Sequence, residues 1–298
     1  MLRISFQQIH YFLTVANVLN FTEAAEHLFI SQPALSKQIK ALEAELGLTL
    51  FKRNKRLVEL TEEGSLLLQE WNIIERMIST SIDNAKRLNS QEIGQLNIGY
   101  TDTFVLDSIL GKLISDFNKN HTDIDISFGS YGYRTMRQSF KAHELDLIFI
   151  PFFELCNYTD INYHHILTVD LSVAIPLSNP LSQRDNISVN DLSDEKFVMI
   201  SPKESPKGVE KILQNCRDSG FEPKEIKYVN NLNSLILSLE NGVGVTICHD
   251  NITDKNVRFY KLPIQPRDSD IMAVWKSGKK SKELDLIIQA LKENFDHQ

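Results

Sequence analysis

Two groups of polar and basic side chains near the N-terminus have the types and spacing that bind nucleic acid. The first lies on one face of a helix predicted from residue 32 and comprises Gln32, Ala34, Lys37, Gln38 and Lys40. Such side chains contact base edges, a thymine methyl group and phosphates when a helix enters the major groove. The second group, residues 52–56, holds four cations in five positions, which suits the displacement of counterions from a duplex backbone. Either group alone would more often be a solvent-exposed surface that binds nothing. The prediction of nucleic-acid binding therefore depends on the two groups lying close together in the chain.

Apolar residues around the first group predict the two helices that would position it. Thr22 is the expected N-cap of a short helix, and Ala24 and Ala25 are small enough for a second helix to cross closely. After a turn at 29–31, which lacks the glycine often found in such motifs, Ser31 is the expected N-cap of the second helix. Pro33 fits the first turn of that helix, and its buried face is expected to comprise Leu35, Ile39 and Leu42.

The second group is predicted to form the tip of a β-hairpin. One strand contains Leu48, Leu50 and Phe51, and the returning strand contains Leu57, Val58 and Leu60. A hairpin immediately after a recognition helix lies where the duplex backbone passes, so its cations favour DNA binding. The whole pattern predicts an all-α winged helix-turn-helix.

Residues 31–64, SQPALSKQIKALEAELGLTLFKRNKRLVELTEEG, resemble the N-terminal signature of LysR-type transcriptional regulators, and the resemblance extends over 6–90. It implies that the start of the recognition helix reads the major groove, and that Arg53 reaches the flanking minor groove or the backbone. Together with the N-cap and the other wing cations, the predicted DNA-binding residues are Ser31, Gln32, Pro33, Ala34, Ser36, Lys37, Arg53, Lys55 and Arg56.

Composition is compatible with a DNA-binding protein despite a net charge of -7 over 298 residues. Residues 1–66 hold seven cations and seven acids, so the acidic excess lies beyond the predicted DNA-binding region. No apolar run is long enough to span a bilayer and no secretory signal begins the chain, so we expect a cytoplasmic protein without a membrane partner. The spacing of histidines and cysteines predicts no metal site, no cofactor and no catalytic residue. Reduced core thiols are expected at Cys156, Cys216 and Cys248.

A single helix of about 27 residues, on the order of 40 Å long, is predicted to follow the wing. Its apolar residues recur at spacings of three and four: Leu67, Trp71, Ile74, Ile78, Ile82, Ala85 and Leu88. Such a seam must be buried, and a second copy of the helix is the favoured partner, giving a two-fold dimer. The alternative is packing against the chain's own C-terminal domain. The family resemblance adds an antiparallel helix pair and often a tetramer of two dimers.

From residue 93 onward, strands alternate with helices, which predicts two α/β lobes. One of the strands is expected to be continuous through LTVDLSVAIP at 167–176, and another to cover 243–247. The arrangement resembles the bilobal fold of periplasmic binding proteins, which is the fold of the family's effector domain. The predicted organisation is a DNA-binding domain at 1–64, a dimerising linker helix and hinge at 65–92, and an effector domain at 93–298, with lobe I at 93–162 and 267–298 and lobe II at 163–266.

Polar residues that follow the strands are the candidates for binding a small-molecule effector. Ligands of open α/β sheets lie beyond the carboxyl ends of strands, which selects Thr101, Asp102, Thr103, Ser130, Tyr131 and Ser201. The family resemblance adds Cys248 and His249. Each hydroxyl or carboxylate at a helix start is also a possible N-cap. Asp102 argues against a simple carboxylate effector, and so does His249, which stands where the family commonly has proline. The hydroxyl groups could still donate hydrogen bonds to a carboxylate.

Three functions remain open from the sequence. A ligand-responsive transcriptional regulator is favoured. An enzyme with an added DNA-binding module is disfavoured because no nucleophile and base, phosphate loop or metal-spaced cluster is present. The spaced glycines of NGVGVT at 241–246 follow a predicted helix and precede a strand, so Gly242 is expected to be a helix C-cap and not part of a nucleotide site. The third possibility is an architectural DNA-binding protein whose C-terminal half only oligomerises.

Overall fold

The chain folds into two compact units, the first formed by residues 1–91 with 141–144 and the second by 92–140 with 145–298. The computed structural model describes residues 3–53, 57–87, 94–101, 104–169, 171–218, 220–249, 252, 255–261, 270–278 and 281–295. Each unit has its own core and is described by itself.

The N-terminal unit begins with three helices: α1 (Phe6–Val18), α2 (Phe21–His27) and α3 (Gln32–Leu46). A short antiparallel hairpin follows, formed by β1 (Phe51–Arg53) and β2 (Val58–Leu60). These elements form the predicted winged helix-turn-helix. Their core is built around Phe12, whose ring centroid lies 5.5 Å from that of Phe51 and 5.2 Å from that of Trp71.

The helix caps explain where α2 and α3 begin. The predicted N-cap Thr22 is wrong, because Asn20 caps α2 by accepting hydrogen bonds at Oδ1 from the backbone N–H groups of Thr22 at 2.9 Å and Glu23 at 3.3 Å. Asn20, two residues earlier, provides an equivalent capping oxygen, and its backbone has the extended conformation typical of an N-cap. The predicted cap Ser31 is confirmed, since its Oγ accepts from Ala34 N–H at 3.4 Å.

Two polar side chains fix the hairpin against the helices. Glu43 Oε1, on α3, accepts hydrogen bonds from the backbone N–H of Leu50 at 2.8 Å and of Phe51 at 3.2 Å. Thr61 Oγ1 donates to the Thr49 carbonyl at 2.7 Å and accepts from Gly64 N–H at 2.9 Å, which caps the next helix. The position of the wing relative to α3 is therefore set by buried and half-buried hydrogen bonds.

The long helix α4 (Glu62–Arg87) has 26 residues, and its apolar seam has two parts. Leu67 and Trp71 pack into the core of the N-terminal unit. Farther along, Ile74, Ile78 and Ile82 are 40 %, 38 % and 50 % exposed. The expectation that a second copy of the helix covers the whole seam is therefore wrong for Leu67 and Trp71. The chain's own N-terminal core buries these two side chains. The seam position Leu88 lies outside the described residues.

The first lobe of the C-terminal unit contains five strands and three helices: β3 (Gly94–Tyr100), α5 (Phe104–Asn120), β4 (Ile124–Ser130), α6 (Tyr133–Lys141), β5 (Leu147–Pro151), β6 (Ile161–Leu167), β12 (Ile271–Lys276) and α9 (Lys282–Phe295). The strands form one sheet with the order β4-β3-β5-β12-β6. Strands β3, β4 and β5 are parallel, whereas β12 is antiparallel to both of its neighbours. The helices α5 and α9 pack on one apolar cluster and α6 on another.

The second lobe contains five strands and two helices: β7 (Leu171–Pro176), β8 (Lys196–Ile200), α7 (Pro206–Asp218), β9 (Glu225–Val229), α8 (Leu232–Glu240), β10 (Thr246–His249) and β11 (Val257–Lys261). The strands form a three-stranded antiparallel sheet, β10-β7-β11, and a parallel pair, β8-β9. A bridge between Phe197 and Val245 joins the two. Gly244 is required at this crossing, because a Cβ atom there would lie 2.3 Å from the Lys196 carbonyl oxygen.

Two strand predictions in this unit are wrong. The segment LTVDLSVAIP is not one strand, since β6 ends at Leu167 in the first sheet and β7 begins at Leu171 in the other lobe. The predicted strand 243–247 instead runs from Thr246 to His249. The expected C-cap Gly242 is one residue too late, because Asn241 is the C-cap of α8 and Gly242 follows it with φ +71, in the left-handed region.

The cysteines differ from the expectation of three core thiols. Cys216 is buried, Cys248 is half-buried, and Cys156 is exposed on the 3-10 helix that follows β5. Burial raises the pKa of the Cys216 thiol to about 11, so this sulfur stays protonated and unreactive at neutral pH.

Candidate DNA-binding face and ligand cavity

The recognition helix α3 divides into a buried and an exposed face as its sequence predicts. Leu35, Ile39 and Leu42 are fully buried in the N-terminal core. The exposed face carries most of the predicted contacts, and its first turn contains no acidic residue. Ser31, Gln32, Pro33, Ala34 and Lys37 are exposed, whereas Ser36 is half-buried. Gln38, also exposed, accepts a hydrogen bond at Oε1 from Gln8 Nε2 of α1 at 3.4 Å.

The wing is described only in its strands. The backbone of Arg53 pairs with Val58 in the hairpin, and the side chain of Arg53 lies outside the described residues. Lys55 and Arg56 also lie outside them. The role of these three cations in DNA binding therefore stays a prediction.

Phe29 is a feature of the turn that the sequence reasoning missed. Its backbone has φ +54, the left-handed conformation for which glycine is otherwise preferred, and this explains a helix-turn-helix turn without glycine. Its side chain is 95 % exposed, three residues before α3 begins. An exposed phenylalanine in a turn beside a candidate DNA-binding helix could have marked the position.

A cavity of about 170 Å³ lies between the two lobes of the C-terminal unit. The first lobe contributes Thr101 and the segments around Tyr131 and Phe153. The second lobe contributes side chains from α7, α8, β8 and β10, most of them aliphatic. A mainly apolar cleft with a few polar groups is the usual form of a small-molecule site.

The predicted effector residues have different positions relative to this cavity. Thr101, Tyr131 and Cys248 line it. Ser130 is exposed and Ser201 half-buried, and neither lines the cavity. The backbone of His249 ends β10, but its side chain lies outside the described residues, as do Asp102 and Thr103.

Polar residues of the second lobe were missed by the sequence reasoning. Asn215 and Thr246 are buried, and both line the cavity. Glu204 and Ser205 line it as well. Ser205 precedes α7 at the position of an N-cap, which is a recognisable sequence signal. Asn215 lies within α7 between Gln214 and Cys216, where a buried polar side chain has no such signal.

A buried carboxylate behind the cavity joins the two lobes. Glu154, fully buried, accepts hydrogen bonds at Oε2 from Arg137 Nη1 and Asn157 Nδ2, both at 2.9 Å. Its Oε1 accepts from Ser205 Oγ of the second lobe at 2.7 Å. Arg137 Nη2 also donates to the Glu204 carbonyl at 2.8 Å. The charge of Glu154 is thus fully hydrogen-bonded, as a buried charge must be.

This carboxylate influences two tyrosines nearby. Desolvation of the hydroxyl raises the pKa of Tyr133 well above its ordinary value, and the negative charge of Glu154 raises it further, against a lowering by Arg137. The same causes raise the pKa of Tyr158. Both phenols therefore remain protonated at neutral pH, and Tyr133, which lines the cavity, can act as a hydrogen-bond donor there.

The helix starts around the cavity have backbone N–H groups occupied by side chains. Ser205 Oγ accepts from Gly208 N–H at 3.2 Å at the start of α7. Asn231 Oδ1 accepts from Ser234 N–H at 2.8 Å at the start of α8. Ser201 Oγ accepts from Lys203 N–H at 3.3 Å. Ser201 therefore acts as a turn-capping residue in this structure, which is the alternative role considered for it.

The described part of the chain offers no candidate for two other kinds of site. These residues contain no group of three histidine, cysteine, aspartate or glutamate side chains placed to hold a metal ion. Among the same residues, no helix combines the length and apolar character that crossing a membrane requires.

A winged helix-turn-helix followed by a two-lobed domain with an apolar cleft defines a class of protein, the DNA-binding regulators that carry a ligand-binding domain. Residues 6–65 match the family described as "Bacterial regulatory helix-turn-helix protein, lysR family", and residues 89–296 match the "LysR substrate binding domain". The chain therefore belongs to the LysR family, and it is a DNA-binding transcriptional regulator and not an enzyme.

Two relatives agree with this membership, and one solved structure has a similar fold. The chain is 28% identical over 241 residues to the HTH-type transcriptional regulator AlsR of Bacillus subtilis (strain 168), covering 80% of this chain and 78% of AlsR. It is 27% identical over 278 residues to BudR of Raoultella terrigena, covering 92% and 95% of the two chains. Its fold is similar to that of full-length CbnR in complex with its target DNA, with a TM-score of 0.66, 21% identity and coverage of 97% and 99%.

Proposed function

We propose that this regulator binds promoter DNA by inserting the start of α3 into the major groove. The observation that carries the proposal is the exposed, acid-free first turn of α3, with Gln32, Ala34 and Lys37 accessible over a buried apolar face. An amide can form a bidentate contact to adenine, a methyl group packs on thymine, and a lysine reaches guanine or phosphate. Arg53, Lys55 and Arg56 extend the contact along the backbone. CbnR, a protein of similar fold, has been solved in complex with its target DNA, which supports the proposal.

We infer that the protein acts as a homo-oligomer whose dimer forms through α4. The exposed part of its seam, Ile74, Ile78 and Ile82, has the spacing of four that places three isoleucines on one stripe. A second copy of the same helix offers an apolar surface of the same length, which favours a two-fold pair. Two such dimers form the proposed tetramer. The domain boundaries proposed from the sequence, 1–64, 65–92 and 93–298, give this helix the role of linker.

We further propose that a small-molecule effector binds in the cleft between the lobes and alters DNA binding. A ligand that contacts both lobes favours one inter-lobe arrangement, and the linker passes that change to the DNA-binding domains. Thr101, Tyr131 and Cys248 are the proposed contacts that line the cavity. Asp102, Thr103 and His249 remain proposed contacts by their position at strand ends. A regulator of transcription acts where the DNA is, so we place the protein in the bacterial cytoplasm.

Footprinting on the DNA upstream of the protein's own gene tests this function. A dimer with two recognition helices should protect two half-sites about one helical turn, 10–10.5 bp, or a multiple of that apart. The variant Lys37→Ala should reduce protection, and Lys292→Ala, on helix α9 of the C-terminal unit, is the matched control. Uniform protection of any DNA, or none on the upstream fragment at low salt, would count against a sequence-specific regulator.

A further inference from the structure

The turn between α2 and α3 holds a phenylalanine where helix ends of this geometry usually have glycine. The backbone N–H of Phe29 donates to the Glu26 carbonyl at 3.1 Å. The N–H of Ile30 donates to the Ala25 carbonyl at 3.0 Å. These two bonds form a Schellman motif, in which the residue at the Phe29 position has a left-handed backbone. Phe29 has φ +54, and its Cβ atom makes that conformation unfavourable, so this backbone destabilises the N-terminal unit.

The side chain of Phe29 does not offset this cost within the chain. The flanking Leu28 and Ile30 pack on the N-terminal core, whose described members do not include Phe29. Phe29 is 95 % exposed, whereas the next most exposed large apolar side chains of the described residues, Leu66 and Leu237, are 61 % exposed. A single exposed apolar side chain is ordinary on a protein surface, but one held in an unfavourable backbone conformation points to a function outside folding.

The position of this ring indicates which molecule it contacts. Residues 31–34 follow directly and are all exposed, so Phe29 continues the DNA-binding face proposed for α3. Three Cα–Cα steps separate Phe29 from Gln32, which places their Cα atoms no more than about 11 Å apart. Residues 27–42 contain no aspartate or glutamate, so no carboxylate of this segment repels a duplex backbone.

A duplex offers apolar surface at the edge of its major groove. Thymine presents its C5-methyl group there, and phenylalanine is one of the side chains that contact this group. The deoxyribose rings of the adjoining strand present further carbon atoms. A recognition helix that contacts base edges through its N-terminal residues brings the turn before it to this edge.

We propose that Phe29 is a DNA-contacting residue whose ring packs on apolar surface of the duplex beside the base that Gln32 reads. The inference rests on the proposed insertion of α3 into the major groove. The contact buries apolar area on both molecules and releases no counterion, so it increases affinity without changing the salt dependence. The unfavourable backbone of the free protein is thereby offset in the complex.

Binding of the full-length chain to the DNA upstream of its own gene, measured at several salt concentrations, tests the proposal. Phe29→Asn removes the ring and introduces a residue that adopts the left-handed conformation readily. We expect an unchanged or higher Tm, an affinity about fivefold to tenfold lower, and an unchanged slope of log K against log salt. Phe29→Leu keeps an apolar side chain and should retain most of the affinity. Unchanged affinity in Phe29→Asn would overturn the proposal, and a changed sedimentation coefficient with it would assign the ring to a contact between copies instead.

Leu19→Asn is the matched control for the backbone. Leu19 has the same left-handed conformation in the same unit, with φ +54, but it is the C-cap of α1 and does not belong to the turn before α3. The substitution should leave DNA affinity unchanged. An equal loss of affinity in Leu19→Asn and Phe29→Asn would overturn the contact, because the loss would then come from the fold of the unit.

The same DNA fragment made with deoxyuridine, which lacks the methyl group of thymidine, identifies the apolar partner of the ring. If the ring packs on a methyl group, the exchange weakens the unaltered protein more than Phe29→Asn. If the ring packs on a sugar, the two proteins lose affinity equally.

Lys37→Ala separates failure of this inference from failure of the proposed function. A loss of affinity in Lys37→Ala with none in Phe29→Asn would reject the ring contact alone. No loss in either variant would reject the insertion of α3 itself, and the ring contact with it.

Discussion

Ser205 Oγ donates a 2.7 Å hydrogen bond to Glu154 Oε1, and this bond joins the second lobe to the first behind the cavity. The same hydroxyl accepts from Gly208 N–H and so caps α7. The start of α7 is therefore coupled to a buried ion pair in the other lobe. A ligand that changes the spacing of the lobes acts on this connection, which gives the cleft a physical link to the orientation of α7.

The Glu154 network should contribute strongly to the stability of the C-terminal unit. Glu154→Gln removes the negative charge from a fully buried site and leaves the largely buried Arg137 without its ion-pair partner. We expect a loss of about 2–3 kcal/mol in the free energy of unfolding, measured by urea denaturation. The control Glu210→Gln, in the exposed pair with Lys207, should leave the midpoint unchanged. Equal midpoints for both variants would show that the buried pair adds no net stability.

The raised pKa values of Tyr133 and Tyr158 predict a loss of stability at alkaline pH. Both tyrosines keep their protons in the folded state above the ordinary value of 10.0. Below about pH 10 both states are protonated and the contribution is complete; above it the unfolded state loses protons first, so the free energy of unfolding falls.

Urea midpoints measured at a series of pH values above and below 10 test this expectation. The double variant Tyr133→Phe, Tyr158→Phe should show a shallower decline than the unaltered protein, because neither side chain can ionise in either state. Tyr228→Phe, at an exposed position on β9, is the control and should retain the original slope. A double variant with the same alkaline slope would contradict the direction of the pKa shifts.

Gln32 is expected to determine base preference. Gln32→Ala removes an exposed amide at the start of α3 but no charge, so discrimination between cognate and scrambled DNA should fall by about 1–3 kcal/mol while the salt dependence stays nearly constant. Competition binding at several salt concentrations measures both quantities. A loss of affinity that is equal on both DNAs would argue against a base contact.

Arg53 is expected to act through phosphate or minor-groove electrostatics. Arg53→Ala should weaken binding to all sequences and reduce the slope of log K against log salt by about one. Arg53→Lys keeps the charge and is the matched variant, so it should retain most of the slope. If Arg53→Ala has the original affinity and slope, the residue does not belong to the interface.

The exposed isoleucines of α4 predict the effect of a charge in the dimer seam. Ile78→Glu should shift the protein toward monomer in sedimentation experiments, because a carboxylate in an apolar helix interface remains without a partner. Ser79→Glu, an adjacent exposed position on the same helix, should leave the assembly intact. An unchanged oligomer in Ile78→Glu would place the interface elsewhere.

The helix-turn-helix was predictable because its signals are local. The alternation of buried and exposed positions in α3 and the cap at Ser31 depend on neighbours within one or two turns. The error at Thr22 arose because Asn20 provides an equivalent capping oxygen two residues earlier. The left-handed backbone at Phe29 was not predicted, because the turn contains no glycine to indicate it.

The cavity was less predictable because it depends on residues distant in sequence. The strand-end rule located Thr101 and Tyr131, whose strands are neighbours in one sheet. Glu154 and Ser205 come together only when the two lobes meet, and their separation of 51 residues in sequence gives no periodic signal. The split of LTVDLSVAIP between two sheets was not predictable either, because its apolar residues are compatible with one strand or with two.

A salt titration of binding to the DNA upstream of the protein's own gene, beside a scrambled fragment of equal length, tests the central claim most directly. A sequence-specific regulator should bind the upstream fragment about 10³-fold or more tightly than the scrambled one, with affinity that decreases steeply as salt increases. Equal binding to both fragments at every salt concentration, or binding to neither at low salt, would contradict the account.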